Sequence, residues 1–212
     1  MIYVKNVSLT IKKQNILEDV SLEVKRGEAV GLIGGNGSGK TMLMKCICGF
    51  HRSYSGEITV LGKKVCKEVE FPPNTRFIIE NPGFLPYLCG YDNLKILADI
   101  EKKIGRSEIE KYMELVGLDP RDRKSVKKYS LGMRQRLGLA QALMERPDVL
   151  ILDEPFNGLD KRMLEKMREV LIMEKDEGKT ILLASHNEKD IEYICDRTYE
   201  IDGGRIVHTS DV

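Results

Sequence analysis

Eight consecutive residues, Gly34, Gly35, Asn36, Gly37, Ser38, Gly39, Lys40 and Thr41, carry the spacing of a loop that grips phosphate: glycine, four residues, then Gly-Lys-Thr. Glycines let a backbone curl so that successive N–H groups converge on one spot. Lys40 adds a full charge toward terminal phosphates, and the Thr41 hydroxyl is a ligand for Mg²⁺. A second pair, Asp153 and Glu154, ends the apolar run Val149-Leu150-Ile151-Leu152. A carboxylate in the place of Asp153 holds Mg²⁺ beside a polyphosphate, directly or through water. Glu154 points another way and suits a base that orients and deprotonates water. His186 follows Ile181-Leu182-Leu183-Ala184-Ser185, where an imidazole can donate to charge developing on a phosphate. The chemistry implied is hydrolysis of a nucleoside triphosphate.

These groups need elements that aim them at one point. Ala29-Val30-Gly31-Leu32-Ile33 reads as a buried strand entering the loop, and Met42 to Ile47 as the helix leaving it. Residues 2–9 and 20–25 alternate as half-exposed strands do. Residues 56–62 and 76–79 are short strands, the second ending at the turn signal Glu80-Asn81-Pro82-Gly83. From about 90 to 145 helical spacing takes over, with Leu94, Ile96, Leu97 and Ile100, then Ile109, Met113 and Val116, then a helix after Ser130. Strands at 149–152 and 180–184 alternate with helices at 163–173 and 188–195. A closing hairpin of 198–201 and 205–208 turns at Gly203-Gly204. Such alternation predicts an α/β fold with a mainly parallel sheet covered on both faces.

The 212 residues suit one domain, and 42% hydrophobic content supplies a core. Lys+Arg 34 against Asp+Glu 33 leaves +1, which argues against nucleic acid as a partner. The densest basic run, Arg121 to Lys128, reads as a solvated loop. Five cysteines without a C-x-x-C pair read as reduced thiols of a cytosolic protein. Neither a signal peptide nor an apolar run long enough to span a bilayer is present, so any membrane role needs a partner.

With three further motifs the chain resembles the ATP-binding-cassette (ABC) ATPases over nearly its whole length. Tyr129-Ser130-Leu131-Gly132-Met133-Arg134-Gln135-Arg136 stands where the family has its Leu-Ser-Gly-Gly-Gln signature. Asn157-Gly158-Leu159-Asp160 matches the D-loop, and His186 the switch histidine. The resemblance implies a phosphate-loop NTPase core (about 1–85 and 146–212) with an N-terminal antiparallel β part and a helical subdomain (about 86–145). It also implies ATP and Mg²⁺ as cofactors, and head-to-tail pairing with a second cassette, identical or different. Ser130 and the Gly132 N–H would then contact the partner's γ-phosphate, and Asp160 would couple the two sites. Three departures stand out. Glu80 replaces the usual Gln as a metal ligand, Ile11 falls where an aromatic normally stacks on adenine, and Leu131 and Met133 replace small and amide residues of the signature.

The Glu80 variant resembles peptide-antibiotic and lantibiotic export or immunity ATPases. An integral-membrane transporter subunit is the implied partner, docked near the aromatic-rich residues 83–91 at the cytoplasmic face of the membrane. The expected function is therefore an ATPase that energises an exporter. The alternative is a soluble ABC ATPase of translation or DNA work. The latter carry long coiled-coil insertions, whereas the interval from phosphate loop to signature here lacks sustained heptads. A phosphate-loop kinase or GTPase accounts for neither signature nor D-loop.

Overall fold

The computed structural model describes residues 1–80 and 82–212; the expected turn at 80–83 includes Asn81, which lies outside the described residues. The chain opens with a hairpin of β1 (Ile2–Ile11) and β2 (Gln14–Val24). Its turn residues, Lys12 and Lys13, have φ of 48° and 68°. Two left-handed residues match the twist of flanking strands, but Asn-Gly usually supplies them. Without that signal the sequence reveals only the outer parts of both strands. β4 (Tyr54–Val60) pairs with the other edge of β1, and β5 (Lys63–Lys64) with β4, giving an antiparallel sheet ordered β2-β1-β4-β5.

The second sheet holds β3 (Ala29–Ile33), β6 (Thr75–Ile78), β7 (Val149–Asp153), β8 (Thr180–Ala184), β9 (Arg197–Asp202) and β10 (Arg205–Asp211). Its order is β10-β9-β3-β8-β7-β6, and every pair is parallel except the β9–β10 hairpin. β7 and β8 are buried along their whole length, which is why they read as unbroken apolar runs. Their side chains alternate between two cores. Val149, Ile151, Leu182 and Ala184 face a core shared with the first sheet and with α1 (Lys40–Ile47). Leu150, Leu152, Ile181 and Leu183 face the other helices.

Between β6 and β7 the named elements are helical: α2 (Gly90–Glu101), α3 (Arg106–Leu115), a 3₁₀ turn at Val126–Lys128 and α4 (Leu131–Leu143). Leu94, Ile109, Met113 and Leu137 carry this block onto the core of Leu150 and Leu152. Arg76 of β6 fastens it further, its guanidinium reaching Glu101 of α2 at 2.7 Å and, through Nε, Glu145 just beyond α4 at 2.6 Å. α5 (Lys161–Asp176) and α6 (Glu188–Ile194) complete the layer. The cationic side chains of the 121–128 run are exposed. All five cysteines are free thiols, and all but Cys66 are buried. No helix among the described residues is long and apolar enough to cross a membrane.

Candidate active site

β3 delivers the chain into the glycine loop, and α1 starts at Lys40 with no side chain capping its first turn. The orphan N–H groups of that turn, together with the helix dipole, form an anion site. Gly39 precedes it at φ 115°, and a Cβ there would lie 2.9 Å from Leu17 Cδ2. Gly37, at φ 79°, has the opposite surroundings: nothing comes within 4 Å of a Cβ position, so its backbone borders open space. Lys40 is nearly buried, and its ammonium donates to the carbonyls of Gly34 at 2.7 Å and Gly35 at 3.0 Å. The loop thus holds its own cation in place.

Asn36, Gly37, Ser38, Gly39, Lys40 and Thr41 line a cavity of about 390 Å³ that Asp153 and Glu154 close from the end of β7. Ser38 has a buried hydroxyl oxygen without a hydrogen-bond partner among the described residues. The Thr41 hydroxyl donates to Asp153 Oδ2 at 2.6 Å, so two of the three expected metal ligands sit together, without Glu80. Their donors are oxygens only, as Mg²⁺ prefers, and an ion there would be held by one or two protein oxygens plus phosphate and water. Charge points the same way, because two carboxylates beside a polyphosphate repel it unless a cation lies between them.

Glu154 has a left-handed backbone, φ 50°, uncommon for a residue with a side chain. Its N–H donates to the Ala184 carbonyl at 2.9 Å, locking the end of β7 to the end of β8. Its carboxylate Oε2 lies 2.7 Å from His186 Nδ1. The loop bearing His186 is held from behind. Ser185, buried, donates to Asp190 Oδ2 at 2.7 Å and accepts from the Asn187 N–H at 3.2 Å. Asp190, also buried, takes Arg168 Nε at 2.8 Å on its other oxygen. The imidazole itself is exposed, free to meet a ligand at the rim.

Other expected site residues stand apart. Ile11 pairs with Gln14 across the hairpin turn and does not line the cavity; Gln14 and Ile16 do. The unforeseen turn at Lys12–Lys13 accounts for the difference. Glu80 is directed to Lys45, 2.6 Å away, and lines a separate groove of about 350 Å³ with Phe50, Phe77 and Phe84. Ser130 is exposed and caps α4 by accepting from the Met133 N–H at 3.2 Å; Asp160 caps α5 through the Met163 N–H at 3.0 Å. Gly132 packs on the D-loop of its own chain, where a Cβ would lie 2.5 Å from the Gly158 carbonyl oxygen.

Residues 17–157 match the family model described as "ABC transporter". The uncharacterized ABC transporter ATP-binding protein YybJ of Bacillus subtilis (strain 168) is 40% identical over 206 residues, covering 97% of this chain and 94% of that protein. The lantibiotic transport ATP-binding protein SrtF of Streptococcus pyogenes is 35% identical over 207 residues, 98% of this chain and 89% of the relative. A solved ATP-binding subunit of an ABC transporter superposes with a TM-score of 0.90 at 29% identity, over 100% of this chain and 90% of that one. The phosphate loop, the acidic end of β7 and these likenesses agree: the chain belongs to the ABC transporter family, as an ATP-binding and ATP-hydrolysing cassette.

Proposed function

We propose that the cassette hydrolyses MgATP to drive an exporter. The observation that carries the catalytic part is the meeting of two residue pairs, Thr41 with Asp153 and Glu154 with His186, at the mouth of the glycine loop. The loop amides and Lys40 take the β- and γ-phosphates, and Thr41 and Asp153 would hold Mg²⁺. The ion, when bound, draws charge from the phosphates. Glu154 orients water and takes its proton as the water oxygen attacks the γ-phosphorus and the bond to the β-phosphate oxygen breaks. His186 holds Glu154 and donates toward the γ-phosphate oxygens. Ile16 and Gln14 form the base side of the pocket.

Ser130 and Gly132, at the start of α4, complete the nucleotide site of a second cassette head-to-tail, with Asp160 beside them. The groove of Phe50, Phe77 and Phe84, walled by the helical subdomain of about 86–145, takes an apolar helix from the membrane subunit at the cytoplasmic face. Glu80 lies on its rim, paired with Lys45. Likeness to a lantibiotic transport protein favours an exporter. Co-purification from membranes tests this reading. Capture of an integral-membrane protein, with ATPase activity dependent on it, is expected; a ribosomal or DNA-bound complex instead would refute the transport role.

A further inference from the structure

Glu154 is the strained joint of the site, and one of its contacts comes from an unexpected quarter. Gln135, in the second turn of α4, is only 4% exposed. A buried amide is costly unless partnered, and the Gln135 Nε2 donates to the Glu154 carbonyl oxygen at 3.2 Å. The same helix meets the same segment again where Gly132 lies under the Gly158 carbonyl and Leu131 packs on Gly158. The stretch from the carboxylate to the D-loop is therefore seated on the first turns of α4. With its N–H on Ala184 and its carbonyl on Gln135, the left-handed peptide of Glu154 is held on both sides.

We propose that Gln135 is a positioning residue. By gripping the carbonyl of Glu154 it ties the aim of the carboxylate to the orientation of the signature helix in the same chain. The idea rests on Glu154 acting as the base. In a head-to-tail pair it has a consequence: an α4 that shifts against the partner's nucleotide also moves its own Glu154. The two sites are then linked through a side chain that touches neither nucleotide. Misplacing a reacting group by about 1 Å costs on the order of a hundredfold in rate, so loss of one anchor is expected to be read in turnover before binding.

The test is Gln135→Met, which keeps length and helix propensity and removes the donor, with Gln135→Leu as a second donor-free variant. ATP affinity by calorimetry, melting temperature, and kcat and KM of the full chain are measured together. Expected are a kcat lowered about tenfold or more, with affinity, KM and melting temperature near wild type. Placed in a Glu154→Gln background, Gln135→Met is expected to lower residual single-turnover hydrolysis no further, because its effect runs through Glu154. Wild-type kcat in either donor-free variant, additive losses in the double variant, or a rate loss matched by loss of folded protein each overturns the proposal. Inactive Glu154→Gln beside fully active Gln135→Met overturns this inference alone. Equal activity of Glu154→Gln and wild type removes the base assignment and this inference with it.

Discussion

Glu154 Oε2 and His186 Nδ1 stand 2.7 Å apart, at the ends of two neighbouring parallel strands whose pairing also joins Asp153 to Ala184. Strand register therefore fixes this contact, as a long loop could not. Glu154→Gln preserves shape and a hydrogen bond to His186 while removing the proposed base. Turnover is expected to fall by about a hundredfold or more, with ATP affinity little changed. An ATP-bound dimer should then accumulate, visible by size-exclusion chromatography with light scattering. His186→Ala alone should slow hydrolysis, and adding it to Glu154→Gln should cost little more, since neighbours acting as a unit are not additive.

Lys40 braces the loop, besides its proposed role toward the phosphates. Its ammonium bonds two loop carbonyls, and a charged hydrogen bond contributes about 1.5–3 kcal/mol. Lys40→Met should weaken ATP binding by about thirtyfold or more, roughly 2 kcal/mol. It should also lower the melting temperature of the nucleotide-free chain by a few degrees. Calorimetry and thermal melts separate the two effects; unchanged affinity would leave Lys40 a loop brace only.

The strands β3, β7 and β8 and the glycine loop are legible in the sequence because their patterns are local: apolar runs closed by Gly-x-x-x-x-Gly-Lys-Thr or by two carboxylates. The full β1–β2 hairpin is not, because Lys12 and Lys13 adopt left-handed turns that no glycine or asparagine announces. Ile16 is hidden for the same reason, since its approach to the cavity depends on where that turn falls. The partner of Glu80 is equally illegible. Lys45 lies one turn beyond Thr41 on α1, and only the tertiary fold brings it to a carboxylate 35 residues further along the chain. Gln135 reads as one more polar residue in a helix; its donor role needs both its burial and the carbonyl opposite.

The Lys45–Glu80 contact bears on metal dependence. The Glu80 carboxylate is mostly exposed, so the pair adds little stability, of order 0–1 kcal/mol, and its value lies in where it parks the charge. On the expectation that Glu80 is a metal ligand, Lys45→Met frees its carboxylate from the ammonium. It is expected to lower the Mg²⁺ concentration that gives half-maximal ATPase activity, whereas Glu80→Gln should raise it. Titrations with Mg²⁺ and Mn²⁺ check both. If both variants match wild type, Glu80 has no part in metal binding.

Buried thiols give the fold a pH signature. Burial pushes Cys46 and Cys195 up from 9.0 to about 12, because a thiolate loses its hydration inside the core. The folded state then holds those protons more tightly than the unfolded chain. The stabilisation is complete below pH 9 and is lost as pH rises from there toward 12, at most about 1.4 kcal/mol per pH unit for each thiol. Cys195→Ala should flatten the fall of melting temperature between pH 9 and 10.5 relative to wild type. In native protein at pH 8, maleimide should label half-buried Cys66 first and spare Cys46, Cys48 and Cys195 until denaturant is added. Rapid native labelling at Cys195, with an unchanged alkaline slope in Cys195→Ala, would show that its thiol is not held in the core.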